Sequence, residues 1–308
     1  MKRIRNGFAA MVLALPFLAG AAGAMMGSGI LHPMRRELSP QLIEQARKTF
    51  DRVSAQREDF EVRTPDGVIL RGWKVRPPEP NGDWVLLFHG VSDNRAGMLG
   101  HAELLLRNHF NVLMMDSRAH GTSEGAMATY GWLERNDTRA IADALLASEP
   151  VHCLFFLGES MGASIALQSA AVDPRVAGVV AESAFANLRE VSFDYSGLRV
   201  SSLLGRTLFR PASAMAIRGA ENEGKFDADD ISPEKSVAAR PFPVLLICGT
   251  SDHNIPARHT RRIFKAATGP KEMWLVRGAG HTAALGKEPK EFERRVLGFF
   301  RKIHEAKP

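Results

Sequence analysis

Ser160 stands between two glycines in Gly158-Glu159-Ser160-Met161-Gly162. The unbroken apolar run 151–157 comes before it, and a helical pattern over 163–171 comes after it. At a strand-to-helix junction, G-x-S-x-G makes a turn tight enough to need small residues beside the serine. The turn lifts the hydroxyl clear of the sheet edge, which suits a nucleophile for acyl transfer. Without the flanking strand and helix the same five residues would read as a helix-cap serine. The N–H of Met161, first in the helix, points toward a developing oxyanion.

A serine nucleophile needs a base, and the base needs a group to orient it. On strand–turn–helix scaffolds of this kind the chain order is serine, acid, histidine. The apolar run 244–248 ends in Gly249-Thr250-Ser251-Asp252, and the run 273–276 leads to Gly278-Ala279-Gly280-His281. Both positions follow carboxyl ends of expected parallel strands, where open α/β sheets place their ligands. Asp252 is therefore the expected acid and His281 the expected base. His253 adjoins Asp252 and is expected to face solvent. Asp227, Asp229 and Asp230 are rival acids, but no strand precedes them. The second oxyanion donor is expected from the loop after the run 84–88, His89-Gly90-Val91-Ser92, at the N–H of Val91. His89 is read as structural, and the polar loop 116–121, with Asp116 and Arg118, as a support for the elbow.

Elements able to position these groups follow from the pattern. Residues 59–64 and 68–75 flank Pro65-Asp66-Gly67 and read as a β-hairpin. Apolar runs at 84–88, 112–115, 151–157, 176–180, 244–248 and 273–276 alternate with helical patterns at 98–108, 133–147, 163–171 and 257–267. Continuous apolar strands between helices indicate a parallel sheet covered on both faces. The stretch 187–240 lacks a strand signal and reads as an inserted helical cap. Its apolar residues Phe193, Tyr195, Leu203, Leu204, Leu208 and Phe209 serve as cap core or cover an acyl chain. Cys153 and Cys248 fall in different expected strands and read as buried free thiols.

Taken together, these residues resemble the α/β-hydrolase superfamily. The matching elements are His89-Gly90, Asp116-x-Arg118-x-x-Gly121-x-Ser123, Gly158-x-Ser160-x-Gly162, Gly249-x-x-Asp252 and Gly278-x-Gly280-His281, in family order across residues 59–303. The pattern is most similar to the serine-aminopeptidase-like and monoacylglycerol-lipase-like branch. The oxyanion loop reads His-Gly-Val rather than His-Gly-Gly-Gly, which departs from esterases that accept bulky tertiary alcohols. The resemblance implies an eight-stranded, mostly parallel sheet with helices on both faces and a cap after the sixth strand. It also implies a serine hydrolase cleaving small-molecule esters or thioesters through an acyl-enzyme on Ser160, with no metal or organic cofactor. A serine peptidase of the same fold is the alternative. It would need an acidic anchor for a free α-amine, from Glu182 or from Asp227–Asp230. A non-catalytic binding protein would be expected to lack a triad member, and none is missing.

Composition sets the outer limits. The 308 residues are 45% hydrophobic and 24% charged, a globular mix that excludes a disordered or fibrous chain. Of the net charge of +6, five units sit in residues 1–58, which hold nine Lys/Arg against four Asp/Glu. The folded part is thus nearly neutral, which argues against nucleic acid as a partner. No C-x-x-C or H-E-x-x-H zinc signature occurs.

Lys2, Arg3 and Arg5 precede a run at 6–33 without Asp, Glu, Lys or Arg. It is long enough to span a bilayer, which takes about 20 residues. Residues 1–34 are therefore expected to be a signal anchor with the catalytic domain outside the cytoplasm. A signal peptide cleaved near Ala22-Gly23-Ala24, giving a secreted protein, is the alternative. Residues 35–58 are expected to form a linker helix, and 59–308 the catalytic domain with its cap at 187–240.

Overall fold

The structure is a computed structural model that describes residues 29–196 and 206–307. The expected signal anchor over 1–28, and Leu203 and Leu204 of the cap, lie outside the described residues. Among the described residues no helix is long and apolar enough to cross a membrane.

Eight strands form one sheet: β1 (Gln56–Arg63), β2 (Ile69–Arg76), β3 (Trp84–Phe88), β4 (Asn111–Met115), β5 (Leu154–Glu159), β6 (Val176–Glu182), β7 (Val244–Gly249) and β8 (Lys271–Val276). Their order is β1-β2-β4-β3-β5-β6-β7-β8. The β1–β2 hairpin and the β2–β4 pair are antiparallel, and every other neighbour pair is parallel. The fold is that of the α/β-hydrolases, as the resemblance implied.

Side-chain alternation explains why the central strands read as unbroken apolar runs. Val85 and Leu87 of β3 join Phe155 and Leu157 of β5 on one face. Trp84, Leu86, Leu154 and Phe156 pack on the other. Both faces are covered, so neither parity can be polar. The first face is covered by α1 (Pro40–Arg52), α2 (Leu99–Leu106) and α10 (Pro289–Ala306), through Phe50, Leu105, Phe292 and Phe300. The second is covered by α3 (Glu134–Ser148), α4 (Met161–Val172) and α8 (Arg258–Ala266), through Ile141, Leu145, Ile165 and Ile263. Among the described residues, three helices lie between β6 and β7: α5 (Leu188–Ser196), α6 (Arg210–Gly224) and α7 (Pro233–Ala239). A one-turn helix, α9 (Ala284–Lys287), follows β8.

Four local expectations change. The helix within 35–58 does more than link, because its Ala46 and Phe50 are buried in the sheet core and Phe50 meets Trp73 edge-on at 6.1 Å. Strand β1 also begins at Gln56, inside the range assigned to that linker. Strand β5 begins at Leu154 rather than at residue 151, because its neighbour β3 begins at the paired Trp84. Cys153 therefore sits just ahead of its strand; it and Cys248 are free and buried.

The end of the apolar N-terminal run departs most from expectation. Leu31 is fully buried in a cluster with Phe185, Leu188, Ile217 and Phe226 of the cap region. The Leu31 carbonyl accepts from Ala128 N–H at 2.8 Å, and the Ile30 carbonyl accepts from the Tyr130 hydroxyl at 2.8 Å. Residues 29–31 thus belong to the folded domain and not to the anchor expected to run to residue 34.

Candidate active site

The elbow is built from close approaches. Ser160 has φ 54° and ψ −116°, a strained conformation for a residue with a side chain. A Cβ on Gly158 would lie 2.5 Å from the Gly162 carbonyl carbon, and a Cβ on Gly162 would lie 2.3 Å from the Phe88 carbonyl oxygen. Neither position has room for a side chain. The Ser160 N–H donates to the Glu182 carbonyl at 2.9 Å, which ties the strained turn to β6.

The acid and base arrive on two loops fastened to each other. Thr250 N–H donates to Val276 O and Ser251 N–H to Ala279 O, each at 2.9 Å. Gly278 N–H donates to Thr250 Oγ1 at 2.8 Å. His281 Nδ1 then lies 2.9 Å from Asp252 Oδ2, and His281 Nε2 lies 2.9 Å from Ser160 Oγ. The Asp252 carboxylate is buried, and its other oxygen accepts the N–H groups of Asn254 and Ile255 at 3.0 and 2.9 Å. Burial raises the pKa of Asp252, but the hydrogen bond to His281 and the Ile255 N–H outweigh it and hold the carboxyl below its usual range. An ionised Asp252 keeps the proton on Nδ1 and leaves the Nε2 lone pair facing the serine hydroxyl. His253 is exposed, as expected.

Gly90 lies against Ser160, because a Cβ there would sit 3.7 Å from the serine Cβ. The loop bearing Val91 is therefore beside the nucleophile, opposite Met161 at the start of α4. His89 is fully buried and its Nε2 accepts from Ser117 N–H at 3.0 Å, a structural contact. Asp116 does not hold the elbow. Its carboxylate accepts from Arg95 N–H at 2.8 Å and Thr122 N–H at 2.7 Å, bracing the loop that follows Val91. Arg118 pairs with Asp137 and Asp66 and does not reach the site.

A cavity of about 350 Å³ opens over Ser160 and is walled by Val91, Leu188, Val191, Tyr195, Ala216 and Ile217, among others. No charged side chain lines it among the described residues, and residues 1–28, 197–205 and 308 contain no Asp or Glu. Glu182 is buried beneath the site, where its Oε1 accepts from Ala284 N–H at 2.9 Å. Asp227 and Asp229 pair with Arg189 on the cap surface. Tyr195 and Phe193 diverge: Tyr195 lines the cavity, while Phe193 is buried and lies under Arg210. Leu208 is 69% exposed, so it neither builds the cap core nor lines the cavity.

Sequence reasoning missed Gly29 and Ile30 as pocket-wall residues, because they sit at the end of a run that reads as membrane segment. It also missed the buried group of His101, Glu159 and Glu182 under the elbow. There burial pushes Glu159 well up, Glu182 up to about 7, and His101 down to about 4.

Comparison with known proteins agrees with this fold. The family described as "Serine aminopeptidase, S33" matches residues 79–228. An esterase from Pyrococcus furiosus, Pf2001, superposes with a TM-score of 0.71 at 23% identity, over 89% of this chain and 98% of its own. The chain has the α/β-hydrolase fold. The α/β hydrolase GrgF from a Penicillium species superposes with a TM-score of 0.62 at 18% identity, over 81% and 99% of the two chains. In sequence, the chain is 27% identical to the uncharacterized protein YqkD of Bacillus subtilis, over 82% of this chain and 81% of that one. It is also 27% identical to the uncharacterized protein YfhR of Salmonella typhi, over 84% and 87%.

Proposed function

We propose that this α/β-hydrolase cleaves esters or thioesters of apolar acyl groups through an acyl-enzyme on Ser160. The observation that carries the reading is the Ser160–His281–Asp252 hydrogen-bond chain, with 2.9 Å at each link, facing a cavity whose described lining carries no charged side chain. His281 Nε2 takes the serine proton as Oγ adds to the substrate carbonyl carbon. The N–H groups of Met161 and Val91 stabilise the resulting oxyanion. His281 then gives its proton to the leaving alcohol or thiol as that bond breaks. Water, activated by the same nitrogen, adds to the acyl-enzyme and releases the acid and Ser160.

The family name matched by residues 79–228 favours a second reading, an aminopeptidase. A free α-amine would enter a cavity with no carboxylate on its wall, which places this second. Parallel assays with p-nitrophenyl esters of increasing chain length and with aminoacyl p-nitroanilides separate the two. Turnover confined to the esters supports esterase action, and turnover confined to the anilides overturns it.

We place the catalytic domain outside the cytoplasm, held at the membrane by the apolar residues before Gly29. Gly29 and Ile30 line the cavity wall, so that segment joins the domain beside the substrate pocket. Full-length protein is expected to remain in the membrane pellet through a carbonate wash. A mature N-terminus at Met25 would show cleavage and secretion instead.

A further inference from the structure

At the end of the sheet away from Ser160, four side chains of metal-binding type converge. They are Asp83 just before β3, His152 and Cys153 just before β5, and His304 in the last turn of α10. One donor atom from each (a carboxylate oxygen, two imidazole nitrogens and a thiol sulfur) lies within 4.8 Å of all the others. The strand rise from Cys153 to Ser160 puts the group roughly 20 Å from the nucleophile. We propose that Asp83, His152, Cys153 and His304 form a structural site for a divalent ion of the zinc class, pinning the C-terminal helix to the rear edge of the sheet.

Rigid backbone holds three of the four donors. His152 N–H donates to Gly82 O and Trp84 N–H to Cys153 O, each at 2.9 Å, so the starts of β3 and β5 are zipped together. Asp83 is fully buried, and its Oδ1 accepts from Cys153 N–H at 3.1 Å. This fixes the carboxylate and leaves Oδ2 directed at His304 Nδ1, 2.9 Å away. The two imidazoles meet edge-on with centroids 4.5 Å apart and are both part-exposed, which gives an ion a way in.

The chemistry of the set fits. Two nitrogens, one sulfur and one oxygen make a complete tetrahedral shell for Zn²⁺, with bonds of about 2.0–2.3 Å. Donors in such a shell stand roughly 3.3–3.8 Å apart. Closing from 4.8 Å asks for about 1 Å, within reach of rotation of the part-exposed rings. Without an ion, burial and the neighbouring Asp83 carboxylate push the Cys153 thiol up to about 11. Binding therefore replaces the thiol proton, which leaves to solvent, and the His304 proton moves to its other nitrogen. The Lys307 ammonium donates to the His152 carbonyl at the rim of this group. No sequence motif marks the site, because its donors are scattered over 83, 152, 153 and 304 and meet only when β3, β5 and α10 pack.

The test uses the untagged full chain, stripped with a chelator and titrated with ZnCl₂ or CoCl₂ alone. One equivalent of either ion is expected to bind. Cobalt should give a thiolate-to-metal charge-transfer band and the strong visible bands of a tetrahedral site. Cys153→Ser should abolish the charge-transfer band, and Cys248→Ser should leave it unchanged. His304→Gln and His152→Gln should each weaken zinc binding by more than the about 10–100-fold typical of outer-shell losses. Native protein that binds no stoichiometric ion overturns the proposal, as does binding unchanged in Cys153→Ser. Should one variant fail to fold, the native titration and the remaining variants still decide. Ester turnover should be the same with and without the ion, since the site is remote from Ser160.

Discussion

The main-chain N–H of Ser160 donates to the carbonyl of Glu182 at 2.9 Å. The Glu182 side chain accepts from Ala284 N–H, three residues beyond His281. One residue of β6 therefore holds the backbone of Ser160, the proposed nucleophile, and the loop that carries His281, its proposed base. Their 2.9 Å contact is set by a strand between them as well as by their own side chains.

The first prediction concerns the proposed triad. Ser160→Ala should lose covalent labelling by a fluorophosphonate, and labelling at full stoichiometry would place the nucleophile elsewhere. Asp252→Asn should keep the fold and lower kcat by about 10⁴, because an amide no longer selects the productive histidine tautomer. Asp252, held below the usual carboxylate range, should stay ionised where an ordinary carboxyl begins to protonate and so keep His281 in the tautomer that faces Ser160.

Glu182 gives a stability prediction with a definite sign. Burial raises its folded pKa to about 7 from an ordinary 4.5, despite the opposing Ala284 N–H and His281. The folded state then binds a proton more tightly than the unfolded state, so this group's stability is lost as pH rises from about 4.5 to about 7. Glu159 beside it acts with the same sign, and His101, pushed down to about 4, acts with the opposite sign on the acid side. Glu182→Gln should thus be more stable than the native protein at pH 8, by at most about 3 kcal/mol, with the advantage shrinking toward pH 4.5. Urea denaturation at both pH values checks this, and a variant less stable at pH 8 would contradict it.

Steric crowding at the elbow predicts that Gly162→Ala forces the turn away from the Phe88 carbonyl. Overpacking of this kind costs about 1–3 kcal/mol. Thermal unfolding should show the loss, and kcat should fall with it because Ser160 moves off His281. Native melting and native turnover together would mean the turn has slack.

The cavity wall predicts chain-length selectivity. Ala216→Leu adds bulk opposite Val191 and Leu188, so kcat/KM for a p-nitrophenyl decanoate should drop at least about tenfold, with the acetate ester little changed, since each misplaced methylene costs about 1–3 kcal/mol. Equal loss on both substrates would assign Ala216 to cap packing.

Tyr195→Phe removes a cap hydroxyl from the wall of the cavity that Ser160 also lines. It should alter kcat by no more than about tenfold and leave fluorophosphonate labelling intact. A complete loss would make the tyrosine part of the chemistry.

Much of this protein is written in local pattern. Buried parallel strands must be apolar on both faces, so 84–88 and 244–248 read as strands from composition alone. The elbow is legible because its tightness leaves room only for glycine at 158 and 162. Asp252 and His281 are legible because each follows a strand end in a fixed order. Other features depend on contacts between distant parts of the chain, which no spacing encodes. Leu31 reads as membrane segment by hydropathy, yet it is buried because Phe185, after β6, and the cap residues Ile217 and Phe226 surround it. Phe50 reads as one face of a linker helix until Trp73 covers it. Glu182 reads as a candidate anchor for an amine just past the run 176–180, yet it lies in β6 between β5 and β7, hydrogen-bonded to both Ser160 and Ala284. Residue type and period determined the strands, the helices and the candidates for the reactive groups. Only the packing of the sheet and cap decided which polar atoms are buried, what walls the cavity and which donors meet at its far end, because burial and long-range contact are properties of the assembled chain.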